Sequence, residues 1–458
     1  MKHKLVLNIM AIALTLSLIA CGKSSVTNAT PTSKSPAGNT PVVDTPIIPA
    51  DSLAISSTNS FVDSFGTYHV VGGLINNSSN VLTHIELSIE IKDASGTSLI
   101  TDDNGNVVPN AVITPMLYTL APGESSPFEY SYETSKGTPG SYNVAITGQQ
   151  TGDANRAILK SENVQLMDDG SGWYYLTGEL VNTSSQWAHI RSLAGGVLDD
   201  SKKLLSADWT STYTTELAPA GDASGRDRTP FEVNFPNPGG ATKWQVFPDA
   251  DVVNNVTDYP IGLSVTNSYF DQYGSFHVVG WITNNYDKAL DSMVVAGVFA
   301  QDKTVLDSSY AFVPIPMKPG VATPFSVSSF SSINYNHDQA ALVSSYSAQA
   351  DPWSTTPTSF EFVDLSPSGE SGQKDGATWT IDGNVINTSG KNLSGVTVVV
   401  MIKDAQNQLV AMEYTSILPE GDAITEGETS SYSVPVYLDP VIDSSGFTAS
   451  TVIIGSVK

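Results

Sequence analysis

The chain has 458 residues, 46 of them acidic against 21 basic, a formal charge of −25 and one cysteine. That acid excess argues against nucleic acid and anionic lipid surfaces as partners, since both select Lys/Arg-rich faces. A chain this long needs three or four cores, and one cysteine leaves those cores without disulfides or thiolate metal sites.

The first twenty residues hold a basic start, Lys2 and Lys4, and a mostly apolar run over residues 5–18, closing on Leu18-Ile19-Ala20-Cys21-Gly22. The run is too short for a stable spanning helix. Its ending resembles the lipobox of bacterial lipoproteins, which implies cleavage before Cys21 and lipidation of its thiol. The expectation is a membrane-anchored extracytoplasmic protein, with inner or outer membrane left open by Gly22. Residues 22–50, with Pro31, Pro36, Pro41, Pro46 and Pro49 among Ser and Thr, read as a disordered tether.

After residue 50 one unit is written four times. Residues 60–77 and 268–285 are identical at nine of eighteen positions, at an offset of 208. A shared core, aromatic-x-x-x-Gly-x-aliphatic-x-Asn, recurs at Tyr68/Gly72/Leu74/Asn76, Tyr174/Gly178/Leu180/Asn182, Phe276/Gly280/Ile282/Asn284 and Trp379/Gly383/Val385/Asn387. The glycine spacings are 106, 102 and 103 residues, which marks tandem domains. The aromatic, the residue at Gly−2 (Val70, Leu176, Val278, Ile381), the Gly and the aliphatic share one strand parity and predict a buried face. The Gly predicts close approach of a facing aromatic.

Each unit continues alike. An alternating strand follows (Ile85, Leu87, Ile89, Ile91; Val396, Val398, Val400, Ile402), then an acidic turn at Asp93, Asp199, Asp302 or Asp404. A turn with Pro122, Pro219, Pro319 or Pro419 leads to an outgoing strand at Phe128, Phe231, Phe325 or Tyr432, and a last strand closes the unit. Six or seven short strands per hundred residues predict an all-β chain of four tandem immunoglobulin-like β-sandwiches, at residues 51–153, 154–259, 260–354 and 355–458. This arrangement resembles the FxLYD-type repeats of bacterial surface lipoproteins, although only the Asp of the Leu-Tyr-Asp element is kept. The resemblance implies no catalytic residue.

Chemistry-bearing motifs are sparse. Beyond the leader, which holds His3, the histidines His69, His84, His189, His277 and His337 show no metal-ligand spacing, and no nucleophile elbow, phosphate loop or His-Glu-x-x-His is present. No catalytic residue, cofactor or metal site is therefore expected. Asp102-Asp103-Asn104-Gly105-Asn106 reads as a hairpin turn, with calcium binding as the alternative there and at Asp199-Asp200 and Asp249/Asp251. His69 and His277 occupy equivalent positions opposite the core face, and Trp281 shares that outward parity. These three form the candidate exposed binding face, for a protein or glycan partner. The leading functional expectation is a non-catalytic structural or binding role at the cell envelope. A carbohydrate- or calcium-binding module and a hydrolase stand as alternatives.

Overall fold

The computed structural model describes residues 53–152, 155–300, 303–328 and 342–458, all within one unit, Asp44–Lys458. Cys21 and the tether lie outside the described residues, as do Asp302 and His337. Among the described residues the chain is all β except for a 3-10 turn at Thr134–Lys136.

The Gly/Asn motif forms the same strand in each repeat. In repeat 1, β1 (Leu53–Val62), β2 (Thr67–Asn76) and β6 (Ser125–Glu133) make one sheet, with β2 central. The facing sheet centres on β3 (Leu82–Lys92), flanked by β4 (Ala111–Ile113), β5 (Thr119–Leu120) and β7 (Ser141–Thr151). Repeat 2 repeats the plan, with β8 (Leu159–Asp168), β9 (Trp173–Asn182) and β13 (Arg228–Pro236) facing β10 (Trp187–Leu198), β11 (Leu204–Thr210), β12 (Glu216–Leu217) and β14 (Lys243–Val253). In repeat 3, β15 (Ile261–Phe270), β16 (Phe276–Asn284) and β20 (Ala322–Ser328) face β18 (Met293–Ala300), β19 (Val305–Phe312) and β21 (Val343–Ala350). A short pair, β17 (Leu290–Asp291) with β22 (Thr356–Pro357), keeps the start of the following segment attached to repeat 3. Repeat 4 joins β24 (Pro367–Asp375), β25 (Thr378–Ile386) and β28 (Thr429–Tyr437) against β23 (Phe362–Leu365), β26 (Leu393–Lys403), β27 (Leu409–Ile417) and β29 (Thr448–Val457). Every strand pair between named strands is antiparallel, which gives four tandem immunoglobulin-like sandwiches.

The motif residues explain the plan. A Cβ on Gly72 would stand 2.3 Å from Phe128 Cζ and 2.4 Å from the Ser57 carbonyl oxygen. On Gly178 it would meet Phe231, on Gly280 the Ser264 carbonyl, and on Gly383 Tyr432. The facing aromatic read from the sequence is present each time. The motif asparagines Asn76, Asn182, Asn284 and Asn387 are all buried. Each accepts backbone N–H from the residue two positions on, and donates to the carbonyl four positions on and to a carbonyl of the opposite sheet's loop. For Asn76 these partners are Ser78, Asn80 and Leu120, and for Asn387 Ser389, Lys391 and Ile424. One side chain thus closes a turn and pins two sheets together with its polar atoms satisfied, which makes burial of an amide tolerable.

The turns after the second long strand are closed by their own aspartates. Asp93 Oδ1 accepts the N–H groups of Ser95 and Thr97, Asp199 Oδ1 that of Lys203, and Asp404 Oδ1 those of Gln406 and Gln408. In repeat 3 the turn is closed instead by Ala300, whose N–H donates to Thr304 O at 2.8 Å.

Candidate functional site

The four sandwiches meet through one recurring seam. In each case a strand of the following repeat lies on the motif sheet of the preceding one: β11 on the β1-β2-β6 sheet, β19 on β8-β9-β13, and β27 on β15-β16-β20. The position before the motif glycine sits under that strand. It is Val71, Thr177 or Val279, each buried. Val71 shares an apolar cluster with Leu204 and Ala207 of repeat 2. Val279 and Tyr269 belong to one cluster with Val410 and Ala411 of repeat 4.

The first and third seams are copies of each other, and both are built on the histidines. The reading of His69 and His277 as an exposed face is corrected here: they are 5% and 4% exposed. His69 Nδ1 lies 2.5 Å from Glu129 Oε1, its Nε2 3.2 Å from Asp63 Oδ2, and Phe61 stacks on its ring. His277 Nε2 lies 3.1 Å from Asp271 Oδ2, and Tyr269 stacks on it. From the following repeat comes a carboxylate at matching positions, Asp208 on β11 and Glu413 on β27, paired opposite Gly195 and Val400 in their own sheets. Asn59 donates to Leu205 O at 3.3 Å and Asn267 to Val410 O at 2.9 Å. At the hairpin tips, Phe65 reaches Trp173 and Tyr273 reaches Tyr437.

These groups have displaced acidities. Burial alone would lower His69, but its hydrogen bonds to Asp63 and Glu129 raise it to about 9, so the imidazolium is held. Against the cost of burial, the His69 bond keeps Asp63 below the usual carboxylate range, and the His277 bond does the same for Asp271. Burial, reinforced by the Glu129 charge, pushes Asp208 up to about 7. Glu413 is likewise pushed up to about 7 by burial, although the His277 charge opposes it.

A second patch ties repeat 1 to repeat 2 by charge. Arg156 contacts Asp249, Asp251 and Glu124, Arg191 pairs with Asp251, and Asp249 Oδ2 accepts the Tyr118 N–H at 2.8 Å. The Asp249/Asp251 pair, weighed as a cation site, is thus neutralised by arginines. In the third seam Lys318 pairs with Asp364. The middle seam is different in kind. Thr177 Oγ1 donates to Val305 O, Tyr213 packs on Tyr310 at 4.9 Å, and Gln349 Nε2 donates to Thr214 Oγ1 and to Arg228 O.

Trp281 is half-buried against the third seam's apolar cluster, with Lys403 Nζ 5.5 Å from its ring centroid, so it packs between repeats. Asp102 Oδ1 accepts the N–H groups of Asn104 and Asn106, which makes the turn and uses that oxygen internally. Among the described residues no group of three or more His, Cys, Asp or Glu is placed to hold a metal ion. The residues missed from sequence were Asp208, Glu413 and Glu129, each drawn to its histidine from another strand or another repeat.

No protein-family model and no curated protein sequence matches the chain. Among solved structures it is similar to Escherichia coli alpha-2-macroglobulin activated by porcine elastase, at 10% identity, 89% of this chain, 44% of that one and a TM-score of 0.12. It is similar also to Salmonella alpha-2-macroglobulin reacted with methylamine, at 9% identity, 88% of this chain, 29% of that one and a TM-score of 0.11. The chain spans less than half of either protein, and at TM-scores this low neither likeness bears on how it folds or acts.

Proposed function

We propose that this chain is a lipid-anchored extracytoplasmic protein with a non-catalytic role, a scaffold of coupled FxLYD-type sandwiches that holds binding surfaces at set spacings in the cell envelope. The recurrence of one docking geometry at all three junctions carries this reading. Packed seams between repeats are what an array needs in order to transmit position from one end to the other. The run ending at Cys21 supplies the anchor, since two acyl chains or more hold a protein on a membrane where one does not. The partner is a protein or glycan of the envelope. Trp187 lies against Arg226 and Trp281 against the third seam, so the aromatic clues to a sugar module are engaged within the chain.

The test is fractionation of cells expressing Cys21→Ser. The variant is expected to leave the membrane fraction, or to accumulate as unprocessed precursor, while its folded repeats resist protease as before. Continued membrane retention of a processed Cys21→Ser chain would overturn the anchor. A scaffold role is overturned separately if the purified chain turns over a substrate.

A further inference from the structure

The segment following β21 reads Ala350-Asp351-Pro352-Trp353-Ser354-Thr355 and carries one of two Asp-Pro bonds in the chain, the other being Asp439-Pro440. Asp351 is only 1% exposed. Its N–H donates to Met293 O, and Oδ2 accepts the Ser354 N–H at 2.9 Å. Oδ1 is buried without a hydrogen-bond partner. The Asp351 carbonyl oxygen, by contrast, is crowded with donors: Thr355 Oγ1 at 2.7 Å, Thr355 N–H at 3.1 Å and Ser354 Oγ at 3.3 Å. Pro352 and Thr355 line an open cleft of about 610 Å3 between repeats 2 and 3, with Arg226, Tyr259 and Gln349.

We propose that the Asp351–Pro352 peptide bond is a self-cleavage site, opened by attack of the Asp351 side-chain carboxyl on its own carbonyl carbon. Three features of the geometry make the reaction. The nucleophile and its target are in one residue, so no association entropy is spent. The donors from Thr355 and Ser354 already point at the oxygen on which negative charge develops. Proline offers a tertiary amide nitrogen, more easily protonated than an ordinary peptide nitrogen. Burial first, and the nearby Glu216 charge, raise the Asp351 carboxyl above its ordinary range, which favours the neutral acid that can supply the proton.

In the first step the bond from Oδ1 to the Asp351 carbonyl carbon forms, the bond from that carbon to Pro352 N breaks, and the carboxyl proton passes to the departing nitrogen. The products are a five-membered cyclic anhydride on Asp351 and a secondary amine on Pro352. Water entering from the cleft then adds to the anhydride and leaves two carboxyl groups on Asp351. One water is consumed and nothing is oxidised or reduced. The cut chain stays assembled, because β22 still pairs with β17 and the third seam still joins repeat 4 to repeat 3.

Asp439–Pro440 is the internal control. Its carbonyl accepts one hydrogen bond, from Ile442 N–H at 3.3 Å, and Oδ1 is occupied by the Val441 N–H. The experiment is incubation of the folded full chain at pH 5 to 7, read by denaturing gel, intact mass and N-terminal sequencing. The expected result is a fragment beginning at Pro352, formed at a rate independent of protein concentration and at least about tenfold faster than any cut at Pro440. Pro352→Ala, which keeps the Asp351 carboxyl and its donors, should abolish the cut, and Thr355→Val, which also removes the Ser292 partner, should slow it at temperatures where thermal unfolding shows the variant still folded. No Pro352 N-terminus from the folded chain, equal cutting at both Asp-Pro bonds, or faster cutting in urea overturns the proposal.

Discussion

The motif sheet of repeat 3 and that of repeat 4 have the same strands and the same glycine, yet one is covered and the other open. In repeat 3 the outward positions are His277 and Val279, buried under β27. In repeat 4 the matching positions are the half-buried Thr380 and Asp382, with the exposed Ser431, Ser433 and Pro435 beside them. The other end shows the converse. The docking strands β11, β19 and β27 are buried over much of their first halves, whereas their counterpart in repeat 1, β4, leaves Val112 61% exposed. The difference teaches that the outward side chains of a motif sheet match what lies on it: His277 and Val279 under β27, hydroxyls and a carboxylate where no described strand packs.

The sharpest way to break the comparison is to write the cap into a seam. Val279→Asp places the repeat 4 residue beneath β27, and burying that carboxylate without a partner should cost about 3–5 kcal/mol. Denaturant unfolding of the full chain should show repeats 3 and 4 separating into distinct transitions. A loss under about 1 kcal/mol would mean that the seam contributes little.

A smaller effect separates the two histidine seams by pH. Asp208 and Glu413 have folded values of about 7 against ordinary ones of 3.8 and 4.5, so the stability they give is full below the ordinary values and lost as pH rises through about 7. His69, at about 9 against 6.5, gives stability that is full below 6.5 and lost as pH rises through about 9. Asp63 and Asp271 act in the opposite sense, and only in acid below 3.8. Raising pH from 6 to 10 should therefore weaken the first seam, by the tail of the Asp208 loss up to about 7 and then by the His69 loss between 6.5 and about 9, the latter worth on the order of 2–3 kcal/mol. His69→Gln should erase the decline between about 6.5 and 9 in a pH series of thermal melts. If that decline persists in the variant, His69 is not its source.

The mildest test reverses the first. Asp382→Val makes the open sheet resemble a covered one and exposes an apolar spot, worth about 1–2 kcal/mol if another surface takes it up. Concentration-dependent self-association by sedimentation is the expected outcome; a strictly monomeric variant would show that the polar side chains are not what keeps this face uncovered.

Much of this was legible in the chain. The Gly-x-aliphatic-x-Asn spacing gave the central strand, its buried side and the facing aromatic, because strand parity and a missing Cβ are local facts. The seams were harder, since parity says only that His69 and His277 oppose their own core. Whether that side meets water or another repeat is decided a hundred residues away. A signal was present: Met293-Val-Val-Ala-Gly-Val-Phe-Ala300 and Val396-Thr-Val-Val-Val-Met-Ile402 are nearly continuous apolar runs, which mark strands buried on both faces. Reading only Val396, Val398, Val400 and Ile402 as inward overlooked Val399 and Met401, which pack with Ile315 of repeat 3. The arginine pairing of Asp249 and Asp251 had no such signal, because a charge partner need not follow any spacing.

The seams come in two alternating kinds, histidine–carboxylate at the first and third and threonine–tyrosine at the second, and this fixes how such a chain can lengthen. Inserting one more copy of repeat 2 would set the Tyr175/Thr177 face against the strand that carries Asp208, a junction with no matching partner. Inserting repeats 2 and 3 together sets every face against a strand of the kind it already meets, the His277 sheet against the Asp208 strand in place of the Glu413 strand. Length is therefore added two sandwiches at a time: a six-sandwich chain should melt as cooperatively as the parent, and a five-sandwich chain should come apart at its mismatched joint.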